Sequence, residues 1–501
     1  MLRILRRRVQ VAYCVDVWQT SRSSKYVATA FGELSIHHVS EPAWDDACTR
    51  QTNGSWALKS TATLLSINAP TTTTHTSPIH RIPHSAMSGS SSSSKPRIAI
   101  IGGGPGGLVV LVTLHKRGIP ATLYEREPSS DSRAHMGGML DLEWETGQRA
   151  FRDNGLEDEF IKHSRAGDAE EGRICGKDGV PILHRKKEKP ANNDLKDSRP
   201  EIDRRVLREV LLSAVPPESV KWDHTLVSVQ PLEHGQHELT FSNGLVTVVD
   251  ILVGADGANS RIRPLVSPAV PQYHGVTGAE ISVPPEAVSL PENRDIDEAI
   301  GLGSLFACEA GKMFGTQRNG NGRVRAYLWH RAPLEWKLPI DPKEAKRVLV
   351  ELYSDWAPWM LKFIEIADEQ AMYLRPLFFL PVGHRWPHKP GVTLIGDAAH
   401  LMSPFSGSGA NLAMLDGIEL GLVLADVVSK GLEGEEREAA IAEWEEKMLA
   451  RGEEVADKTA KSLEACLNPD APKTMIDRFK EVIAEGKESR QEQQYLADST
   501  R

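Results

Sequence analysis

Near the C-terminal end of the chain, a Gly-Asp pair directly follows a short apolar run, Val392 to Ile395. Such a run is typical of a buried parallel strand. The carboxylate after it is placed to accept a hydrogen bond from a ribose or ribitol hydroxyl. A turn rich in proline and glycine then opens a predicted helix, whose first N–H groups are free to face an anion or an electron-rich ring edge. The candidate contacts in this segment are Gly396, Asp397, Gly407, Gly409 and Asn411.

An earlier glycine-rich loop follows the β-branched run Arg97 to Ile101. Its glycines in GxGxxG spacing are Gly102, Gly104 and Gly107. They suit a tight turn, close approach of backbone to a pyrophosphate, and close helix–strand packing. We predict a helix from Leu108 to Arg117 and a strand from Ala121 to Tyr124, with Glu125 placed to accept from the adenosine ribose hydroxyls. This unit indicates a dinucleotide and does not distinguish FAD from NAD.

A third motif lies between these two. The predicted strand Ile251 to Gly254 is followed by Asp256 and Gly257 in a turn of small residues. Two interpretations are open: contact with the cofactor, or capping of the next helix by Asp256.

A basic residue is also available before the third motif. Residues 201–212 are predicted to form an amphipathic helix with Asp203 as its N-cap. Arg204 and Arg205 directly follow that N-cap.

Taken in order, these motifs resemble those of class A flavoprotein monooxygenases, the group of para-hydroxybenzoate hydroxylase. The resemblance implies that Arg204 reaches the flavin dinucleotide, with Arg205 or a purely structural role as the alternative. The ordered set favours FAD over NAD. Within the class, residues 125–148 are most similar to the tetracycline-inactivating flavin monooxygenases. That resemblance implies that Arg126 and Asp141 contact FAD and that Arg133 meets the NADPH phosphates, with a spacing around Arg133 that differs by one residue. Ser408 departs from the family, which commonly has Gln there.

The resemblance implies a reaction as well as a cofactor. NADPH or NADH would reduce FAD, and the reduced flavin would trap O₂ as a C4a-hydroperoxide. One oxygen atom would then enter a small aromatic or polyketide-like metabolite by hydroxylation or by Baeyer–Villiger insertion. We expect the helix beginning at Gly409 to stabilise negative charge on the flavin ring. No catalytic side chain is predicted, and His400 is expected to be structural.

Two alternatives use the same scaffold. One is a flavin-binding protein without turnover, such as a sensor or an assembly factor. The other is a flavin-dependent halogenase, whose expected Trp-x-Trp-x-Ile-Pro motif is absent, because Trp356 and Trp359 are spaced wrongly.

The expected fold is α/β: a Rossmann-like FAD-binding domain, an α+β substrate domain built on a sheet, and a long C-terminal helix. The substrate domain would contain period-2 strands such as residues 323–330. Its aromatic residues either line a pocket or form plain core; they are Phe306, Phe314, Tyr327, Trp329 and Phe378.

Apolar residues that recur every three or four positions from Ile441 to Cys466 predict a helix that braces both domains, with a coiled-coil partner as the alternative. The predicted boundaries are 97–160, 195–265 and 380–429 for the FAD-binding domain, 161–194 and 266–379 for the substrate domain, and 430–501 for the bridging helix and tail.

Composition limits the choice of partners. The 501 residues carry a net charge of -9, with 40% hydrophobic and 25% charged residues, which is ordinary for a soluble globular protein and gives no reason to expect nucleic acid. The five cysteines contain no CxxC, so neither a zinc site nor a disulfide framework is predicted. The longest apolar run, Ile98 to Leu114, is broken by glycines and a proline, so no membrane span is expected. We expect a monomer in the cytoplasm.

Residues 1–96 differ from the rest of the chain. Thr71 to Thr74 and Ser90 to Ser94 are low-complexity, and the segment lacks sustained periodicity, so we predict a disordered extension. Its Arg-rich start resembles a mitochondrial transit peptide, which would change the compartment. The alternative is that translation starts at Met87.

Overall fold

Two β-sheets form the framework of the protein. The strands of one sheet end beside the sequence motifs, and the other sheet is larger. The structure is a computed structural model that describes residues 95–133, 137–186, 195–482 and 484. These residues belong to the unit Ser88–Arg501. The predictions made for residues 1–94 (disorder, a transit peptide and a start at Met87) lie outside the described residues.

The strands are short and spread along the chain. The first ten are β1 (Ile98–Ile101), β2 (Thr122–Tyr124), β3 (Met139–Asp141), β4 (Gly172–Cys175), β5 (Pro181–Arg185), β6 (Glu201–Asp203), β7 (Val220–Lys221), β8 (Leu226–Pro231), β9 (His237–Phe241) and β10 (Val246–Val249). The others are β11 (Ile251–Gly254), β12 (Gln272–Tyr273), β13 (Val276–Val283), β14 (Ser304–Glu309), β15 (Lys312–Arg318), β16 (Val324–Arg331), β17 (Tyr373–Leu374), β18 (Phe378–Phe379) and β19 (Val392–Leu394).

The α-helices range from one turn to a long C-terminal element. They are α1 (Pro105–Lys116), α2 (Gly147–Arg152), α3 (Glu157–His163), α4 (Arg204–Ser213), α5 (Arg263–Val266), α6 (Pro285–Val288), α7 (Arg294–Ile300), α8 (Pro342–Leu352), α9 (Pro358–Glu365), α10 (Asp397–His400), α11 (Gly409–Lys430) and α12 (Gly434–Cys466). No helix among the described residues is both long and apolar enough to cross a membrane.

A parallel sheet carries the three glycine motifs. Its strand order is β19-β11-β1-β2-β7. Every residue of β1 and β11 is buried, as expected for central parallel strands covered on both faces. The strands pair in parallel, so the loops that follow β19, β11, β1 and β2 emerge side by side at one edge. Open α/β sheets bind ligands at this carboxyl edge.

The larger sheet has seven strands in the order β17-β13-β16-β15-β14-β4-β5. Residues alternate between its two faces along each strand. On β16, Val324, Ala326 and Leu328 belong to a core shared with α8 and α9. Tyr327 and Trp329 project to the opposite face, which α12 partly covers through Leu463. The period-2 prediction for residues 323–330 is therefore confirmed.

Two predictions of local structure need correction. The helix predicted over residues 201–212 begins at Arg204, because residues 201–203 form β6 and pair with β3. Asp203 lies at the N-cap position, but its carboxylate accepts instead from Asn319 Nδ2 and from the Gly320 N–H. The helix predicted to begin at Leu108 starts at Pro105, a residue suited to the first helical turn.

The long C-terminal helix is confirmed as α12, which has 33 residues. Ile441, Trp444 and Met448 pack into the core of the parallel sheet. Leu463 and Cys466, farther along the helix, pack into the cluster beneath the larger sheet. The helix thus contacts both sheets, as a bracing element should.

Candidate functional site

The glycine-rich loop after β1 has little room on one side and open space on another. A Cβ on Gly102, where φ is +109°, would lie 2.3 Å from the Ala255 carbonyl oxygen, and one on Gly107 would lie 2.1 Å from the Gly102 oxygen. Glycine is therefore required at both positions by close backbone packing. A Cβ on Gly104 would meet nothing within 4 Å. That open side is where backbone can approach a ligand.

Glu125 closes this loop from the neighbouring strand. Its buried carboxylate accepts from the Gly103 N–H at 2.5 Å and from the Glu127 N–H at 3.0 Å. Arg126, the next residue, is exposed, and its one ion pair with the described residues is a loose contact with Glu127 at 3.9 Å. Glu125 therefore holds the loop in shape and leaves Arg126 available to a ligand.

Two helices point their N-terminal ends at the same region. Helix α1 crosses α11 at glycines: a Cβ on Gly106 would lie 2.7 Å from the Ala413 oxygen, and one on Gly417 would lie 2.5 Å from the Gly106 oxygen. A Cβ on Gly409, the first residue of α11, would meet nothing within 4 Å. The first-turn N–H groups of both helices lack intrahelical partners, so they can bind an anion.

Asp256 and Asp397 supply carboxylates beside these helix ends. Asp256 Oδ2 accepts from the Arg261 N–H at 2.7 Å, whereas Oδ1 is buried without a hydrogen-bond partner among the described residues. Burial raises the pKa of the Asp256 carboxyl, against the Ser260 and Arg261 hydrogen bonds that lower it. Gly257, next in the loop, has φ +80° and open space at its Cβ position.

Asp397 combines exposure with strong desolvation, from which we infer that it lines a cleft at the carboxyl edge. It keeps solvent-accessible surface, yet the protein surrounds it closely enough that desolvation raises the pKa of its carboxyl. Charges on His400, Arg204 and Arg263 oppose that rise in pKa. An accessible but desolvated carboxylate is well placed to accept from the hydroxyl of a bound ligand.

The two basic candidates on α4 differ in environment. Arg205 pairs with Glu209 at 2.7 Å on the exposed helix surface. Arg204 lies near Asp397 and Tyr327: desolvation raises the pKa of both groups, and the charge of Arg204 opposes that rise. A Cβ on Gly137 would touch the Arg204 side chain at 3.0 Å. These contacts favour Arg204 over Arg205 as the residue that faces the cleft.

Asn411 fastens α11 to the loop after β3. Its Oδ1 accepts from the Glu143 N–H, the Thr146 hydroxyl and the Gly147 N–H at 2.9–3.2 Å. Its Nδ2 donates to the Asp141 carbonyl oxygen at 2.8 Å. The amide is thus engaged with protein, so its side chain positions the Asp141 segment, and only its backbone N–H can face a ligand.

The remaining predicted contacts lie close to these groups. Desolvation raises the pKa of the Asp141 carboxyl despite the charge of Arg199. Gly396 has φ +57° and donates its N–H to Asp416 at 3.1 Å, and Gly407 has φ +67° in the turn before α11. The backbone of Arg133 ends a 3₁₀ turn, and its side chain is not among the described groups.

Arg263 is a residue that the sequence motifs did not single out. Its buried guanidinium donates to carbonyl oxygens of both carboxyl-edge loops: Ala258 and Gly257 after β11, and Ala398 and Asp397 after β19. It therefore fixes the spacing between the Asp256 and Asp397 loops. An arginine just beyond a turn of small residues was the available signal.

His400 is structural, as expected. Its Nε2 lies 2.5 Å from Oδ2 of the fully buried Asp416, whose other oxygen accepts from Arg451 on α12 at 3.2 Å. Burial lowers the pKa of His400, but Asp416 raises it more, so the net pKa is above the ordinary value. Asp416 stands within the apolar run of α11, and a buried carboxylate needs a partner. The sequence thus held a signal for this pair, but we did not predict it.

Comparison with known proteins agrees with this arrangement. A family model described as FAD binding domain matches residues 95–459. Monooxygenase penA of Penicillium thymicola is 28% identical over 65% of this chain and 84% of its own length. The crystal structure of Klebsiella pneumoniae HpxO with FAD and uric acid has a TM-score of 0.62 at 22% identity, covering 77% of this chain and 92% of HpxO. Tetracycline destructase Tet(51) has a TM-score of 0.58 at 18% identity, covering 78% of this chain and 96% of its own.

The protein belongs to the FAD-binding domain family of class A flavin monooxygenases. It is an FAD-dependent monooxygenase, and its α/β architecture is that of the family. The described residues fit the cofactor: two open helix N-termini, the unpartnered Oδ1 of Asp256 and the cleft carboxylate of Asp397 offer donors and acceptors suited to a dinucleotide.

Proposed function

We propose that this flavoprotein consumes NADPH or NADH and inserts one oxygen atom of O₂ into a small aromatic or polyketide-like metabolite. We infer the substrate class from an aromatic surface that lies between the larger sheet and the loop before α11. Tyr327 stacks on Trp329 with ring centroids 5.2 Å apart, and Trp329 meets Phe405 at 5.1 Å. Tyr327 and Phe405 are only partly buried, which leaves ring surface for a planar substrate.

The other predicted aromatics divide between this surface and the core. Phe306 packs against the same cluster as Tyr327 and Trp329. Phe314 is fully buried on the opposite face of the sheet, against Tyr353 and Phe363. Phe378 contacts Tyr273. Phe314 is therefore core, and the proposed substrate surface consists of Phe306, Tyr327, Trp329 and Phe405.

A polar group beside this surface supports a substrate with oxygen substituents. Glu280 is buried and lies 2.8 Å from Arg325 and 2.7 Å from Arg375. Desolvation and the charge of Glu280 raise the pKa of the Tyr327 hydroxyl, whereas Arg204, Arg325 and Arg375 are close enough for their charges to lower it. Phenolates, enolates and carboxylates would be favoured there over cationic ligands.

The proposed cofactor contacts follow from the geometry of the carboxyl edge. Glu125 and Arg126 would hold the adenosine end, and the N-terminus of α1 with Asp256 would face the pyrophosphate region. Asp397 would accept from the ribitol, and Arg204 would lie over the cleft. The N-terminus of α11 would stabilise negative charge on the flavin ring.

Bound FAD would supply the oxygen chemistry, and the chain supplies position and shelter. In this proposal the division into an FAD-binding domain and a substrate domain follows the predicted boundaries. We infer a cytoplasmic monomer. HpxO, whose solved complex holds uric acid, supports a planar heteroatom-rich ring as one kind of substrate for this scaffold.

The test uses purified full-length protein. We expect a flavin absorbance spectrum, faster oxidation of NADPH or NADH when a responsive phenol from a panel is added, and a product that contains one labelled atom from isotopically heavy O₂. Phe405→Leu should lower product formed per nicotinamide oxidised, with FAD affinity unchanged. Phe378→Leu, a partly buried ring beside Tyr273, is the matched control and should retain wild-type coupling.

Other outcomes separate the alternatives. Bound FAD without nicotinamide oxidation, with any substrate of the panel, would indicate a flavin-binding protein without turnover. Incorporation of halide in place of labelled oxygen would indicate a halogenase. Failure to bind FAD would contradict the assignment of the carboxyl edge.

A further inference from the structure

Two cysteines from distant parts of the chain meet where α12 reaches the larger sheet. Cys308 lies on β14, and Cys466 is the last residue of α12. Their Sγ atoms are 2.6 Å apart, and the side chains are 0% and 3% exposed. The other cysteine among the described residues, Cys175, is also buried, and its Sγ lies 3.9 Å from the Phe306 carbonyl oxygen.

The pair lies in a small apolar cluster next to the proposed substrate surface. Cys466 Sγ donates to Met313 Sδ at 3.5 Å. Trp329, Leu463 and Leu467 complete the buried surroundings, and Phe405 packs against them. A change at this pair therefore acts on the contact between α12 and the sheet that carries Trp329.

We propose that Cys308 and Cys466 are a modification site: a peroxide converts them to a disulfide that fixes the end of α12 to β14. One thiol attacks H₂O₂, the O–O bond breaks, and a sulfenic acid and one water are formed. The second thiol then displaces a further water as the S–S bond forms. Two thiols thus lose two electrons, H₂O₂ gains them, and two waters leave. A dithiol reductant reverses the step.

The geometry needs little rearrangement. A disulfide has an S–S length of about 2.05 Å, so the sulfur atoms must approach by about half an ångström from 2.6 Å. The elements that carry them already pack together, and α12 ends at Cys466, where the last turn of a helix is easier to shift than its interior.

Burial determines which oxidant can act. Desolvation, and then the neighbouring Cys466, raise the pKa of the Cys308 thiol well above its ordinary value, so the reactive thiolate is scarce. A bulky oxidant such as glutathione disulfide cannot reach sulfur atoms that are almost fully enclosed. A small neutral peroxide can enter during brief opening of the end of α12.

The test uses the full chain and has readouts independent of oxygenation. Protein treated with H₂O₂ is alkylated, digested without reduction and analysed by mass spectrometry, beside samples treated with glutathione disulfide. We expect a Cys308–Cys466 cross-linked peptide after H₂O₂, its loss after dithiothreitol, and little cross-link with glutathione disulfide. The oxidised protein should melt at least ~3 °C higher, because the bond restricts the unfolded chain.

Variants serve as controls. Cys308→Ala and Cys466→Ala should each abolish the peptide and the melting shift, whereas Cys175→Ala should retain both. If one variant does not fold, the wild-type peptide map still decides the matter. Recovery of both cysteines fully alkylated after H₂O₂, or equal cross-linking in the two oxidants, would overturn the proposal. The outcome does not depend on the proposed oxygenation, since no substrate or nicotinamide is present.

Discussion

At the scale of single residues, the carboxyl edge of the parallel sheet combines groups held by the protein with groups left for a ligand. Glu125, Arg263 and Asn411 have their polar atoms engaged with backbone. Asp397 and Asp256 each keep a carboxylate oxygen in a desolvated setting, Asp256 Oδ1 without a partner among the described residues. We infer that the first group shapes the site and the second contacts the cofactor; Glu125 does both, because each of its oxygens can accept a further hydrogen bond from the adenosine ribose.

Asp397→Ala tests the second group. The substitution removes one acceptor for FAD while the Asp397 carbonyl still accepts from Arg263. We expect the FAD dissociation constant to rise roughly tenfold, because a hydrogen bond to a charged group contributes about 1.5 kcal/mol or more. Fluorescence titration of the apoprotein measures it. Asp426→Ala, an exposed carboxylate paired with Lys430, is the control. Equal affinities in the two variants would show that Asp397 does not contact the cofactor.

Arg263→Lys tests the first group. A lysine ammonium cannot reach carbonyls of both loops as the planar guanidinium does. We expect the apoprotein to lose roughly 2–4 kcal/mol of unfolding free energy, because buried carbonyls lose their donors. Urea unfolding followed by fluorescence measures the loss. An unchanged denaturation midpoint would indicate that Arg263 is dispensable for holding the loops together.

The common edge on which the motif residues lie could be predicted from the sequence, whereas the side chains that support them could not. Gly102, Glu125, Asp256 and Asp397 stand after apolar runs typical of parallel strands, and parallel pairing brings the ends of those strands together. The roles of Arg263 and Asp416 depend on side chains meeting across more than a hundred residues or across helices, which no local spacing reports. Residues 201–203 became strand because pairing with β3 overrode their helical pattern.

At the scale of elements, the crossing of α1 and α11 determines where their N-termini point. The helices approach through glycine, and a Cβ on Gly417 would stand 2.5 Å from a backbone oxygen of Gly106. Backbone cannot move aside as a flexible side chain can. The two anion-binding helix ends therefore depend on a contact between the first turn of α1 and the third turn of α11.

Gly417→Ala separates packing from helix propensity. Propensity alone favours alanine by about 1 kcal/mol. Overpacking against the Gly106 oxygen costs about 1–3 kcal/mol or more, and the clash here is with backbone. We therefore expect a lower melting temperature and weaker FAD binding, measured by calorimetry and by titration. A variant more stable than wild type would show that the helices can separate without cost.

At the scale of the whole molecule, α12 is held at both sheets by different interactions. Near its start, Glu438 and Glu445 bond His388 at 3.0 and 2.6 Å, and Glu445 also accepts from Thr393 on β19. At its end, apolar contacts and the cysteine pair are joined by an ion pair between Glu464 and Arg331 on β16, with both side chains largely exposed. The expected bracing role thus combines a buried charged anchor at the start of the helix with a mainly apolar anchor at its end, and the histidine that titrates lies in the first.

The charged anchor predicts how the free energy of unfolding changes with pH. Hydrogen bonds that His388 donates to Glu438 and then to Glu445 raise the pKa of His388 to about 9 from 6.5, against desolvation. A raised pKa in the folded state means that the stabilisation is complete below pH 6.5 and is lost as pH rises through about 9. The contribution is on the order of 3 kcal/mol. Urea unfolding should therefore show wild-type stability falling between pH 6.5 and 9.5, with most of that slope absent in His388→Asn. The cluster also contains Arg437, which pairs with Glu438 and keeps its charge throughout this range. A slope of equal size in both proteins would place the titrating group elsewhere and leave α12 anchored without His388.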